Sequence, residues 1–351
     1  MKSTLIRKAL IAAAAVMVAS PMMANAATVN VPSTPDSNTD MVAPQEQATG
    51  EGPVAKNFVD ASLKLEDQLK GPKGANDWSC TPTKERPNPV ILVHGWGSSA
   101  YGSFSAISPM LKDRGYCVFA MIYGSEKDKS VAGLLPGFNG MGDTWTSAMQ
   151  LRDYVDAVRQ ATGAQKVDIV AWSQGGLVAQ TYLNFYNGGD RANPARNKVA
   201  HAIYMGGAHH GTTMSGLATP LIAANDAGMH DIIAPLVDKL GGKAALGMLP
   251  NSAVVKANLE AGDTIPGITY TVISSETDMV VTPIERTWLK QGPGATVNNV
   301  NLQKGCDVDH ADHHAMIYDP RAWDYILIGL GEKNVQPRCV PVKRMVAQGF
   351  K

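Results

Sequence analysis

Ser173 stands where two textures of sequence meet. Val167-Asp168-Ile169-Val170-Ala171-Trp172 is a short apolar run rich in β-branched residues, and Gln174-Gly175-Gly176-Leu177-Val178-Ala179 continues as a helix-compatible pattern. A serine at such a strand-to-helix corner is exposed at the tip of a strained turn. The residues two before and two after it must be small, and Ala171 and Gly175 meet that need. The N–H groups at the start of the following helix are unpaired, so Gln174 is the first candidate donor to a developing oxyanion. A second donor is expected from the loop His94-Gly95-Trp96-Gly97-Ser98-Ser99, with Trp96 as the candidate. A serine hydroxyl needs a base to take its proton, and the base needs a carboxylate to hold its tautomer. Two acids, Glu276 and Asp278, follow a late apolar run; Asp278 is favoured because it lies in the loop proper, ahead of Pro283. Three histidines, His310, His313 and His314, compete as the base, and His209 and His210 are placed to line the same site.

The elements that must position these groups are legible in outline. Val90–Val93, residues 117–122, the run before Ser173, residues 202–205, 268–273 and 297–302 read as strands. Phe104, Ile107 and Leu111 mark a helix ending before Gly115. Ala148, Leu151, Val155 and Val158 give an amphipathic helix over residues 143–162, started by Asp143. Strands separated by helices imply parallel pairing. The stretch 124–142 is expected to be a long loop near the mouth of the site. From about residue 213 to 262 the texture changes to Ala, Leu, Ile and Met in short helical patterns, which reads as a helical cap with a pliable apolar wall. A terminal helix over residues 320–330 precedes a polar, basic tail at 336–351.

Composition limits the remaining possibilities. Lys plus Arg and Asp plus Glu both number 31 in the 351 residues, so nothing in the charge points to nucleic acid or an anionic surface. Residues 1–26 have the form of a cleaved secretory signal: Lys2, Arg7 and Lys8, an apolar run from Ala9 to Ala19 too short to span a bilayer, and Ala24-Asn25-Ala26 as the cleavage site. A secreted protein, extracellular or periplasmic and without a transmembrane segment, is expected. Residues 27–54 are poor in large apolar side chains and read as a flexible leader to a domain at 55–335. Four cysteines, Cys80, Cys117, Cys306 and Cys339, suit two disulfides in an oxidising compartment. Three connectivities exist; Cys80 with Cys117 and Cys306 with Cys339 are preferred because each closes a local loop, worth roughly 3 to 4 kcal/mol in the chain-entropy model.

The order serine, acid, histidine along the chain is the order an α/β-hydrolase uses. The expected fold is therefore α/β, a mostly parallel sheet flanked by helices with a helical cap insertion. The sequence resembles the secreted bacterial class 2 lipases of that fold, over roughly residues 77–330. The resemblance is carried by Asn76-Asp77-Trp78-Ser79-Cys80, Val93-His94-Gly95, Gly115-Tyr116-Cys117-Val118-Phe119-Ala120, the serine elbow, His210-Gly211-Thr212-Thr213, Asp278 with Val280-Val281-Thr282-Pro283, and His313 with Tyr318-Asp319-Pro320. In those lipases the catalytic histidine precedes Tyr-Asp-Pro by the spacing of His313, so the resemblance selects His313. The elbow departs from the usual Gly-His-Ser-Gln-Gly and is instead similar to that of a fungal lipase B, which bears on the shape of the acyl pocket. What the resemblance implies is a cofactor-free, metal-free ester hydrolase, a monomer acting on a lipid or other ester at a lipid–water interface. Short-chain esters and polyesters fit the same residues. Two other readings are a metal-dependent hydrolase built on Asp307, Asp309, His310, Asp312, His313 and His314, and a secreted binding protein on a hydrolase scaffold. Against the metal reading, Val308 stands where a further histidine is wanted.

Overall fold

A computed structural model describes residues 30–345. The expected signal at 1–26 lies outside them, as do residues 346–351. The described residues from Val31 onward form one unit, built on six parallel strands: β1 Val90–Val93, β2 Val118–Met121, β3 Val167–Trp172, β4 Val199–Met205, β5 Thr269–Ser274 and β6 Thr296–Asn301. Their order across the sheet is β2-β1-β3-β4-β5-β6. Every residue of β1, β2 and β3 is buried, as continuous apolar runs covered on both faces require. The edge strand β6 is half-exposed and rich in asparagine, which limits edge-to-edge pairing.

Among the described residues ten α-helices accompany the sheet: α1 Phe58–Leu63, α2 Ala100–Phe104, α3 Ile107–Asp113, α4 Thr144–Thr162, α5 Gln174–Phe185, α6 Thr219–Asp226, α7 His230–Gly241, α8 Lys243–Gly247, α9 Ala253–Ala261 and α10 Pro320–Gly329. The helix expected before Gly115 is two short ones, α2 and α3, broken at Ser105-Ala106. Helix α4 starts as expected, with the Asp143 carboxylate accepting the Thr146 N–H at 2.8 Å, and buries Ala148, Leu151, Val155 and Val158. The segment read as a cap holds α6 to α9. Pro283 opens only a short 3-10 turn, Ile284–Thr287, rather than a full helix.

The expectation of a flexible leader meets a different arrangement. The described part of the supposed leader is tied down by polar contacts. The Tyr186 hydroxyl donates to the Pro32 carbonyl, Asp36 pairs with Lys243 at 2.7 Å, and Gln47 exchanges hydrogen bonds with both backbone groups of Ile122. Apolar burial was the criterion that suggested flexibility, and these contacts need none. The tail is likewise held: Cys339 is bonded to Cys306, Arg338 grips Asp324, and Val342 bridges to Asp309. Cys80 is bonded to Cys117, so both pairings are the local ones expected. Because all strands run in one direction, the loops after β1, β3, β5 and β6 gather at one edge of the sheet, where open α/β sheets place their sites.

Candidate active site

Ser173 follows the last residue of β3 and precedes the first of α5, with φ 57° and ψ −126°. That is a strained backbone for a non-glycine residue, the mark of a nucleophile at a tight turn. The crossing of α5 behind β1 sets the small-residue rule: a Cβ on Gly175 would run into the Val93 carbonyl. Ala171 is fully buried within the sheet, where a methyl group fits.

The structure brings Ser173, His313 and Asp278 together across 140 residues of chain. Ser173 Oγ lies 2.9 Å from His313 Nε2, and His313 Nδ1 lies 2.7 Å from Asp278 Oδ2. The other carboxylate oxygen, Oδ1, accepts the N–H groups of Val280 and Val281 at 2.7 and 2.9 Å, which fixes the plane of the group. An acid acceptor at Nδ1 holds the proton there and leaves Nε2 able to accept from the serine. Gly206, at φ 52°, packs against this pair; a Cβ there would stand 3.0 Å from His313 Nδ1 and 3.2 Å from Asp278 Oδ2. A larger side chain there would press on the pair from a backbone conformation that suits glycine.

The competing residues are elsewhere. Glu276 is exposed and takes a hydrogen bond from Asn301. His310 is exposed. His314 is largely buried against Phe58, with ring centroids 4.5 Å apart, and burial together with the neighbouring His313 pushes its pKa down to about 4. His209 is buried against the Thr287 carbonyl, and His210 pairs with Asp263 at 2.8 Å. Asp309 and Asp312 direct carboxylate oxygens at backbone N–H groups of their own loop, those of Ala311, His314 and Ala315. Among the described residues no three His, Cys, Asp or Glu side chains come together as a metal site.

Neither the Gln174 nor the Trp96 backbone N–H has a hydrogen-bond partner among the described residues. Loop 94–99 is braced from beneath. His94 Nδ1 lies 2.7 Å from the Gly95 carbonyl, its ring stacks on Tyr123 at 4.3 Å, and the Tyr123 hydroxyl donates to the His94 carbonyl. Burial lowers the His94 pKa to about 4, so this brace is a neutral imidazole. The Trp96 indole N–H donates to the Gly241 carbonyl at the end of α7, joining the loop to the cap. Trp172 is turned inward in this arrangement. It is 2% exposed, and its indole N–H donates to the His313 carbonyl at 3.0 Å. The roles of His94, Gly206 and Trp172 were not evident in the sequence, since each depends on a partner distant in the chain or on the packing of the fold. The one local signal was an aromatic residue where the usual elbow has histidine. Ser173 itself is 7% exposed, and cavities of about 590 and 710 Å³ in this structure do not include it.

The six-stranded parallel sheet with its serine elbow defines an α/β-hydrolase fold. A family profile described as lipase (class 2) matches residues 87–322, about two thirds of the chain, and the protein belongs to that family. It is a carboxylic ester hydrolase. Solved structures similar to it include the mature lipase BlEst2 of Bacillus licheniformis, at 18% identity and TM-score 0.47, covering 71% of this chain and 94% of that one. A thermostable carboxyl esterase of Bacillus coagulans, in complex with glycerol, matches at 14% identity and TM-score 0.42, covering 63% and 83%. A monoacylglycerol lipase of Paleococcus ferrophilus matches at 20% identity and TM-score 0.37, covering 61% and 86%.

Proposed function

We propose that the protein is a secreted lipase that hydrolyses triacylglycerol through Ser173, His313 and Asp278 and an acyl-enzyme intermediate. The observation that carries this is the pair of short contacts, 2.9 Å from Ser173 Oγ to His313 Nε2 and 2.7 Å from His313 Nδ1 to Asp278 Oδ2. Ser173 Oγ attacks the ester carbonyl while Nε2 takes its proton, and Asp278 stabilises the imidazolium that results. The N–H groups of Gln174 and Trp96 hold the oxyanion, each contributing on the order of 10²-fold or more in rate. His313 returns the proton to the departing alcohol. Water, deprotonated by His313 in turn, then releases the fatty acid and restores the serine.

A lipid substrate is favoured over a short soluble ester by the surface around the cap. Ile232, Leu236 and Leu240 recur at every fourth position of α7 and are exposed, with Leu134 and Leu135 exposed on the neighbouring loop. Val131 of that loop donates its N–H to the Lys239 carbonyl, so the two apolar surfaces adjoin. Such a contiguous apolar patch suits a lipid–water interface. The two disulfides are in keeping with secretion, and among the described residues no helix is long and apolar enough to cross a membrane.

The test is hydrolysis of p-nitrophenyl esters from acetate to palmitate and of emulsified triolein, by wild type and Ser173→Ala, with and without a chelator. Activity that vanishes with the serine, ignores the chelator and extends to palmitate and triolein is the expected result. Activity that survives Ser173→Ala refutes the mechanism, and loss of that residual activity to the chelator would move the site to the aspartate-histidine loop. Activity confined to acetate and butyrate refutes the lipase reading while keeping the esterase.

A further inference from the structure

We propose that Trp172 is a positioning residue for the general base: it holds the backbone of His313 in place so that the imidazole stays between Ser173 and Asp278. The inference rests on the serine-hydrolase reading above. Trp172 is the residue immediately before the nucleophile and the last of β3, where it is in register with Met205 of β4. Its indole N–H donates to the His313 carbonyl at 3.0 Å, and its ring lies against both histidine rings, 5.2 Å from His313 and 5.6 Å from His314. Phe58 packs on it at 5.9 Å. One rigid side chain therefore spans from the nucleophile's own backbone to the backbone of the base.

The other ties of the loop that carries His313 lead to the acid's loop and the C-terminal segment. Upstream, the Ala311 carbonyl accepts from the hydroxyls of Ser275 and Thr277 at 2.5 and 2.9 Å, which fasten it to the acid's loop. Downstream, Asp312 takes the N–H groups of His314 and Ala315 within the loop and that of Met345 from the C-terminal segment, none of which reaches the nucleophile's strand. Between them the bond from Trp172 is the one that ties the loop to the nucleophile's strand. His313 is buried, so its carbonyl has no water to replace the indole. Loss of that donor lets the loop relax, and a displacement of about 1 Å at a reacting group costs on the order of 10²-fold in rate.

Two variants test this: Trp172→Phe, and replacement of Trp172 by benzothienylalanine, in which sulfur stands where the indole N–H was and the volume is kept. Each is assayed over the p-nitrophenyl ester series, with the number of competent sites set by end-point phosphonate titration. Each is then combined with Asp278→Asn, which already disables the base by leaving its imidazole in the wrong tautomer. The expected result is a fall in kcat per titrated site of about 10- to 100-fold, equal at every chain length, with KM within about twofold. On the Asp278→Asn background the fall should be much smaller, because groups acting through one base do not add. Should Trp172→Phe fail to fold, the isosteric analogue decides. Retention of kcat within twofold in the analogue, additive effects in the cycle, or a change in chain-length preference would overturn the assignment, the last because it would make Trp172 part of the acyl pocket. Failure of the serine-hydrolase reading itself is seen separately, as activity surviving Ser173→Ala.

Discussion

Asp278→Asn isolates the electrostatic and tautomeric part of the site from its shape. The amide is isosteric with the carboxylate, and its oxygen can go on accepting from the N–H groups of Val280 and Val281, now made by Oδ1. Those two bonds orient the side chain so that the NH₂ group takes the place of Oδ2, 2.7 Å from His313 Nδ1. Two donors cannot face each other, so Nδ1 turns acceptor and the ring proton moves to Nε2. That proton then points at Ser173 Oγ, and the base can no longer accept from it. The expected loss is about 10³- to 10⁴-fold in kcat, or roughly 4 to 5.5 kcal/mol of transition-state stabilisation at about 1.36 kcal/mol per tenfold. KM should stay within about twofold, since the substituted group touches no substrate. The assay is steady-state hydrolysis of p-nitrophenyl butyrate alongside a thermal melt, with Tm expected within a few degrees of wild type. A folded variant retaining more than a tenth of wild-type kcat would refute the reasoning and return Glu276 and the neighbouring histidines to consideration.

Other consequences can be measured directly. Replacing both Cys306 and Cys339 by serine opens a loop of 33 residues and should lower stability by about 4 kcal/mol in urea unfolding, with no change if the pair is dispensable. A Cβ at Gly175 meets the Val93 carbonyl, so Gly175→Ala should cost roughly 1 to 3 kcal/mol and lower activity; a neutral melt would mean that the elbow tolerates the substitution. Burial lowers the pKa of His94 from 6.5 to about 4 in the folded chain, so between those values the unfolded chain binds the extra proton. Stability from this group is complete above pH 6.5 and is lost as pH falls toward 4, by about 3 kcal/mol at 1.36 kcal/mol per unit. Urea unfolding of His94→Gln should therefore show a shallower loss between pH 6.5 and 4 than wild type; parallel curves would show that His94 does not carry the effect.

The strands and the order of the catalytic candidates were legible because each leaves a local signature. A continuous apolar run such as Val90–Val93 can hardly be anything but a buried strand, and a serine between Trp172 and Gln174 at the end of another marks an elbow. The base was less visible. Composition could not separate His310, His313 and His314, because the difference lies in which of them reaches a serine 140 positions earlier. Resemblance favoured His313, and the observed contacts set the others apart: His310 faces solvent and His314 turns to Phe58. Residues 30–54 were misread for a physical reason. Low apolar content argues against a private core, yet a polar segment can be ordered by hydrogen bonds to a surface already formed, as Gln47 does with the Ile122 backbone at the edge strand β2. Trp172 was noticed as a departure from the usual elbow, but its contact with the His313 backbone left no sign in the sequence. Its neighbour in sequence is the nucleophile, and its neighbour in space is the backbone of the base.

The placement of the second disulfide has a bearing on the order in which the enzyme is assembled. His313 lies inside the loop closed by Cys306 and Cys339, and the chain beyond Cys339 returns to lay Val342 beside Asp309, with the His310 N–H donating to the Val342 carbonyl. Ser173 and Asp278 are both made before this brace exists. A nascent chain, or one still held in a reducing compartment, thus has Ser173, Asp278 and His313 without the cross-link that closes and supports the loop around His313. Completion of the chain and oxidation of the last cysteine supply that support together.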